Sequence, residues 1–164
     1  MRNTNKSKTL MEKTNVMRLL EQKKIAYTAH TYEADATKTG EEIAELLDED
    51  VERVFKTLVA QGKSGAYYVF VIPVNAELDL KKAASASKEK SVAMIKQKEL
   101  LPLTGYVHGG CSPIGMKKQF PTFFHQTAGG FDTIYFSAGK VGYQVEVSPG
   151  DLKSILRFET AELI

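Results

Sequence analysis

The spacing of apolar residues changes period along the chain, and each change marks a predicted element. Val16, Leu19 and Leu20 recur at helical spacing behind Thr14, so a helix capped by Thr14 and running to about Lys24 is expected, with that stripe buried. Ile25–Tyr32 is rich in β-branched and aromatic residues and reads as a strand. Thr39-Gly40-Glu41-Glu42 has the form of a capping box, opening a helix whose stripe is Ile43, Leu46 and Leu47. Phe55–Ala60 and Tyr67–Val74 are apolar strands joined by a turn at Gly62–Gly65. The run Tyr67–Ile72 does not alternate, which predicts burial on both faces. Asp79 caps a short helix with Leu80, Ala83 and Ala84 inward. Ser91–Ile95 reads as a short strand, followed by a short helix near Lys96–Leu101. From Gly105 the pattern is strand and loop: Gly105–His108, Thr122–Gln126, Thr133–Ser137 and Tyr143–Val147 are strand candidates. Ser148-Pro149 opens a last helix on Leu152, Ile155 and Leu156. The order of elements predicts a mixed α/β fold, with a barrel-like β-sheet and helices outside it.

Composition narrows the class. A chain of 164 residues, 43% hydrophobic and 26% charged, can bury one core without covalent staples. One domain over residues 1–164 is expected, with 1–13 as a basic N-terminal extension. Cys111 is the only cysteine, which excludes an internal disulfide and a multi-cysteine metal site and favours a reducing, cytoplasmic setting. No long apolar run follows the basic N-terminus, so neither a signal peptide nor a membrane span is expected.

The net charge of +2 is too small to hold a protein on nucleic acid by charge alone. It is unevenly spread, however. Residues 1–24 carry seven bases against Glu12 and Glu21, residues 25–52 carry nine acids against Lys38, and residues 81–98 carry six lysines against Glu89. The basic segments read either as solvated faces or as phosphate contacts.

Dinucleotide, P-loop, zinc-protease and serine-hydrolase motifs are all missing, and His30, His108 and His125 lack metal-ligand spacing, so no cofactor and no metal are expected. Three features remain. Lys56 lies in an apolar strand, where it either snorkels at a rim or points into a pocket as a fixed positive charge. Gly109-Gly110-Cys111-Ser112-Pro113-Ile114-Gly115 is either a tight structural turn or a loop that brings backbone N–H groups and the Ser112 hydroxyl close to a ligand. Ser137-Ala138-Gly139-Lys140 is a second small-residue turn with a hydroxyl. Cys111 reads as a packed small residue or, with a partner supplied by the fold, a nucleophile.

Taken together, Phe55-Lys56-Thr57-Leu58, Leu80-Lys82-Ala83-Ala84, Gly105-Tyr106 with the glycine loop, Ile134–Lys140, Val145-Glu146-Val147 and His30-Thr31-Tyr32 resemble the YbaK/EbsC family, over about residues 14–160. The family consists of free-standing relatives of the editing domain of bacterial prolyl-tRNA synthetases. The resemblance implies a compact α/β editing fold and a deacylase for mischarged tRNA, Cys-tRNA(Pro) foremost and Cys-tRNA(Cys) besides. It also implies the aminoacyl-tRNA acceptor end as partner, with prolyl-tRNA synthetase as a further one. By the same resemblance Lys56, Gly109 and Gly110 carry the chemistry, and Tyr32, Thr39, Ser112, Ser137 and Gly139 bind substrate. The substrate's own thiol, not an enzyme nucleophile, is implied to attack the ester carbonyl, with tethering lowering the barrier and backbone N–H groups holding the carbonyl oxygen. Thr39, Cys111 and His108 depart from the family's usual residues, which leaves fine specificity open. Two other functions stay open: a deacylase for another mischarged tRNA such as Ala-tRNA(Pro), and a non-enzymatic module binding a nucleotide or tRNA end.

Overall fold

The structure is a computed structural model and describes residues 12–164. All but the last two residues of the expected basic extension lie outside it. The helices are α1 (Asn15–Gln22), α2 (Gly40–Leu46), α3 (Leu80–Ser87) and α4 (Gln97–Thr104). The strands are β1 (Tyr27–Thr31), β2 (Phe55–Gly62), β3 (Tyr67–Pro73), β4 (Val92–Met94), β5 (Thr122–His125), β6 (Ile134–Ser137), β7 (Tyr143–Val147) and β8 (Glu159–Ala161).

The strands form two sheets, ordered β1-β7-β6 and β4-β2-β3-β5-β8. The small sheet is antiparallel throughout, whereas β3, β5 and β8 run parallel in the large one. The mixed α/β architecture is as expected, but the sheets do not close into a barrel. One bridge, Val54 to Tyr135, joins the start of β2 to β6. No ladder extends from that bridge among the described residues, so the two sheets stay separate.

The non-alternating β3 is explained by a core on each face. Val69 and Val71 face a cluster with Phe55, Val59, Phe124, the small sheet's Ile134, Phe136, Val145 and Val147, and α1's Val16, Met17 and Leu20. Phe70 and Ile72 face Ala60, Phe123, Ala83, Ala84 and Leu163 on the other side. The Thr14 hydroxyl caps α1 by accepting from Met17 N at 3.2 Å, and Asp79 caps α3 by accepting from Lys81 N and Lys82 N.

Several expectations are corrected. Leu46 is 54% exposed and Leu80 42%. In α2 the residue fully buried is Ala44, which packs on Val54, Val74 and Tyr135. Gly105–His108 is not a strand: Gly105, at φ +85°, ends α4 in the left-handed region, and the chain continues as loop. The segment after Ser148 is a 3₁₀ helix over Pro149–Ser154.

Candidate functional site

The unpaired edge at the start of β2 opens onto a cleft of about 350 Å³, large enough for a small-molecule moiety. Four pieces of chain converge on it: β2 with Lys56, Thr57 and Leu58, the end of β1 with Tyr32, the N-terminus of α2 with Thr39 and Ile43, and the facing ends of β6 and β7 with Ser137, Tyr143 and Gln144. The glycine loop closes one side with His108, Gly109 and Cys111.

Of the residues singled out from sequence, Lys56, Gly109, Tyr32, Thr39 and Ser137 are brought together in the lining. Lys56 is half-buried and, among the described residues, has no ion-pair partner, so its charge faces the cleft uncompensated. Gly109 has φ +88°, a conformation that costs a residue with a Cβ about 1–2 kcal/mol. Thr39 serves α2 as well: its hydroxyl accepts from Glu42 N at 3.1 Å, and Glu42 accepts from Thr39 N at 2.8 Å, the expected capping box.

Gly110, Ser112 and Gly139 fall outside the lining. The Gly110 N–H is spent on Val107 O at 3.0 Å, so it is not offered to a ligand. A Cβ on Gly110 would lie 3.1 Å from Val141 N, so its role is close packing of the glycine loop on the β6–β7 turn. Ser112 is fully buried and accepts from Ile114 N at 3.3 Å. Gly139 packs on Tyr106 and donates to the Ser137 hydroxyl at 3.0 Å, which orients that hydroxyl in the cleft wall.

The electrostatics sort the remaining groups. Burial pushes the Cys111 thiol up to about 12, against a smaller opposing effect of a hydrogen bond with Thr104. At neutral pH Cys111 is a protonated wall residue and a poor nucleophile. Burial, with a contribution from the Glu49 carboxylate, also raises Tyr32, which keeps its phenol as a donor. Among the described residues, no cluster of three or more His, Cys, Asp or Glu could hold a metal ion.

Gln144 was missed by sequence reasoning. It is 4% exposed and lines the cleft, with Nε2 donating to Glu49 Oε1 at 3.1 Å. Thr57 lines it too and has a buried hydroxyl with no partner. Period two puts Gln144 on the face of Glu146, opposite Val145 and Val147, so the pattern marks it as an outward polar residue. No local signal reveals that Glu49 covers it.

Comparison with known proteins places this geometry in a family. A family description, aminoacyl-tRNA editing domain, matches residues 34–155. The chain belongs to the aminoacyl-tRNA editing domain family. It is 45% identical over 157 residues, 95% of this chain and 96% of the other, to an Enterococcus faecalis protein, EbsC, named as a candidate Cys-tRNA(Pro)/Cys-tRNA(Cys) deacylase. It is 30% identical over 114 residues to the proline–tRNA ligase of Shouchella clausii, matching 69% of this chain but 20% of the ligase. A solved structure described as a candidate trans-editing enzyme for prolyl-tRNA synthetase shares the fold, with a TM-score of 0.76, 23% identity, and coverage of 90% of this chain and 93% of the other. The protein APE2540 shares it with a TM-score of 0.80 at 20% identity, over 90% of this chain and 97% of that one.

Proposed function

We propose that this protein is a trans-editing deacylase that cleaves the aminoacyl ester of mischarged tRNA, Cys-tRNA(Pro) first and Cys-tRNA(Cys) second. The observation that carries the reading is the 45% identity over nearly the full length of both chains to the named deacylase. The cleft supports it, being of a size for an aminoacyl group and part of the terminal ribose, with an unpaired cation and a glycine backbone at its wall.

The reaction needs no nucleophile from the enzyme. The substrate thiol gives up its proton and its sulfur bonds to the ester carbonyl carbon; the carbon–oxygen bond to the ribose breaks, and the ribose oxygen takes a proton. The product is a cyclic thioester of cysteine and a free tRNA end. Holding the cysteinyl ester folded in the cleft brings sulfur and carbonyl together as an intramolecular pair. The Gly109 N–H meets the charge that develops on the carbonyl oxygen. Lys56 meets the negative charge of the terminal nucleotide's phosphate, or its ribose oxygens, and holds the acceptor end in register. A small pocket alone admits alanine and serine as readily as cysteine, so the thiol requirement supplies the discrimination.

The acceptor end of the tRNA is then the partner, and prolyl-tRNA synthetase supplies the substrate by making the error. No helix of the described residues is long and apolar enough to cross a membrane, and the work is assigned to the cytoplasm, where charged tRNA is made. The test is a deacylation assay on cysteinyl-, alanyl- and prolyl-tRNA(Pro). Fast loss of the cysteinyl ester alone supports the proposal. Equal loss of the alanyl ester removes the thiol mechanism, and no loss of any ester removes the activity.

A further inference from the structure

Behind the cleft wall, Glu49 reaches β7 from the turn ahead of the 3₁₀ segment Val51–Arg53, and its Oε1 accepts from Gln144 Nε2 at 3.1 Å. Burial holds the Glu49 carboxyl above its ordinary range, and the amide nitrogen of Gln144 faces it, so the amide oxygen turns the other way. That oxygen is buried without a partner, on a side chain 4% exposed that lines the cleft. The Thr57 hydroxyl, also in the lining, is a second buried oxygen without a partner. Two such oxygens in one cleft wall call for a ligand that brings donors, since native structures rarely leave buried polar atoms unmatched.

We propose that Glu49 is a positioning residue that locks the Gln144 carboxamide with its oxygen toward the cleft, as an acceptor for the protonated α-amine of the aminoacyl ester. The identity of the ligand rests on the deacylase reading. An α-ammonium carries three donors and no acceptor, which suits a carboxamide oxygen that lacks a donor. The charge environment agrees. Glu146, the other acid of this region, is already matched by His30 at 2.9 Å, Thr133 at 2.6 Å and Arg53 at 3.3 Å. Glu49 keeps one oxygen unpaired. Its remaining neighbours are the attracting His30 and Arg53, the repelling Glu146, and the phenols of Tyr32 and Tyr135.

The test measures binding instead of turnover. The probe is adenosine carrying cysteine in a non-hydrolysable 3′-amide linkage, compared with the same compound lacking the α-amine. Wild-type protein is expected to bind the amine-bearing compound about 10-fold or more tightly than its counterpart, the scale of one charged hydrogen bond. Glu49→Gln, which no longer dictates the orientation of the amide, and Gln144→Met, which removes the oxygen, are each expected to bring that ratio down to about 2-fold. A loss of overall folding would weaken both compounds equally and leave the ratio alone. Equal binding of the two compounds by wild-type protein overturns the proposal, and so does an unchanged ratio in Gln144→Met, even if Glu49→Gln fails to fold. Discrimination without deacylation of Cys-tRNA(Pro) would refute the activity and support the site. Deacylation without discrimination would do the reverse.

Discussion

Replacing Gly110 by alanine tests how the cleft is held. A Cβ there would lie 3.1 Å from Val141 N and 3.4 Å from the Lys140 carbonyl and α carbons. All three are backbone atoms of the β6–β7 turn, so no side chain can rotate out of the way. The Gly110 N–H is tied to Val107 O at 3.0 Å, which prevents the glycine loop from backing off freely. One methyl group must therefore push two loops apart by a few tenths of an ångström. Overpacking of this kind costs about 1–3 kcal/mol. At about 2–4 °C per kcal/mol for a domain of this size, the melting temperature should fall by roughly 2–12 °C. Gly109, the adjacent residue, moves with the loop, and small misplacements of groups that meet a developing charge are costly, so kcat/KM should fall by about 10-fold. Thermal unfolding followed by circular dichroism reads the first quantity, and deacylation of Cys-tRNA(Pro) the second. A variant that melts within about 1 °C of wild type would show that the two loops are not packed as described.

Three further outcomes are expected. Thr39→Ala removes the hydroxyl half of the capping box, leaving the backbone N–H of residue 39 to donate to Glu42, and should cost about 0.5–2 kcal/mol in urea unfolding, whereas Thr39→Asp, which keeps a side-chain acceptor, should recover most of it; equal stability of the two would contradict the cap. Cys111→Ser should leave kcat/KM within about 2-fold of wild type, because the buried thiol is protonated at working pH; a collapse of rate in a folded variant would promote it to nucleophile. His125 is 4% exposed, accepts from Leu163 N at 3.1 Å, and has its pKa lowered from 6.5 chiefly by burial. Its contribution to stability is present above pH 6.5 and is lost as pH falls through the lowered value, because below 6.5 the unfolded chain takes up the proton more readily. Melting temperatures measured from pH 7.5 down to about 5 should therefore drop faster for wild type than for His125→Gln, whose amide oxygen can accept without titrating.

The elements of the fold were legible where local physics decides. The caps at Thr14, Thr39 and Asp79 and the doubly buried run of β3 all follow from residue type and spacing, and the structure contains them. Leu46 and Leu80 misled because a helical stripe predicts which residues share a face but not which face docks; α2 packs through the small side chain of Ala44 instead. Gly105–His108 has strand-forming residues, yet Gly105 in the left-handed region ends a helix there. The barrel could not be judged from sequence, since closure depends on long-range pairing of β6 with the free edge of β2, and a single bridge, Val54 to Tyr135, forms there.

The site was legible in part for a similar reason. Lys56 stood out as a charge in an apolar strand, and Gly109 as part of a glycine cluster, so both drew attention to the right place. The cluster did not tell which glycine faces the cleft: Gly110 sits against the β6–β7 turn, some thirty residues further along the chain, and only the fold brings that turn there. Gln144 was hidden because a glutamine on the polar face of an alternating strand is ordinary, and its cover, Glu49, comes from another part of the chain.

The central claim is that the substrate's own thiol attacks the ester carbonyl and displaces the tRNA end, in a cleft built around Lys56. Single-turnover deacylation of Cys-tRNA(Pro) by wild type and Lys56→Ala, with the released amino acid product identified by mass, tests it most directly. The account predicts rapid release by wild type of the cyclic thioester or its hydrolysis product cysteine, a loss of about 100-fold or more in the variant at unchanged stability, and no release from Ala-tRNA(Pro). Wild-type and Lys56→Ala rates within a few-fold of each other, or equal release from Ala-tRNA(Pro), would contradict it.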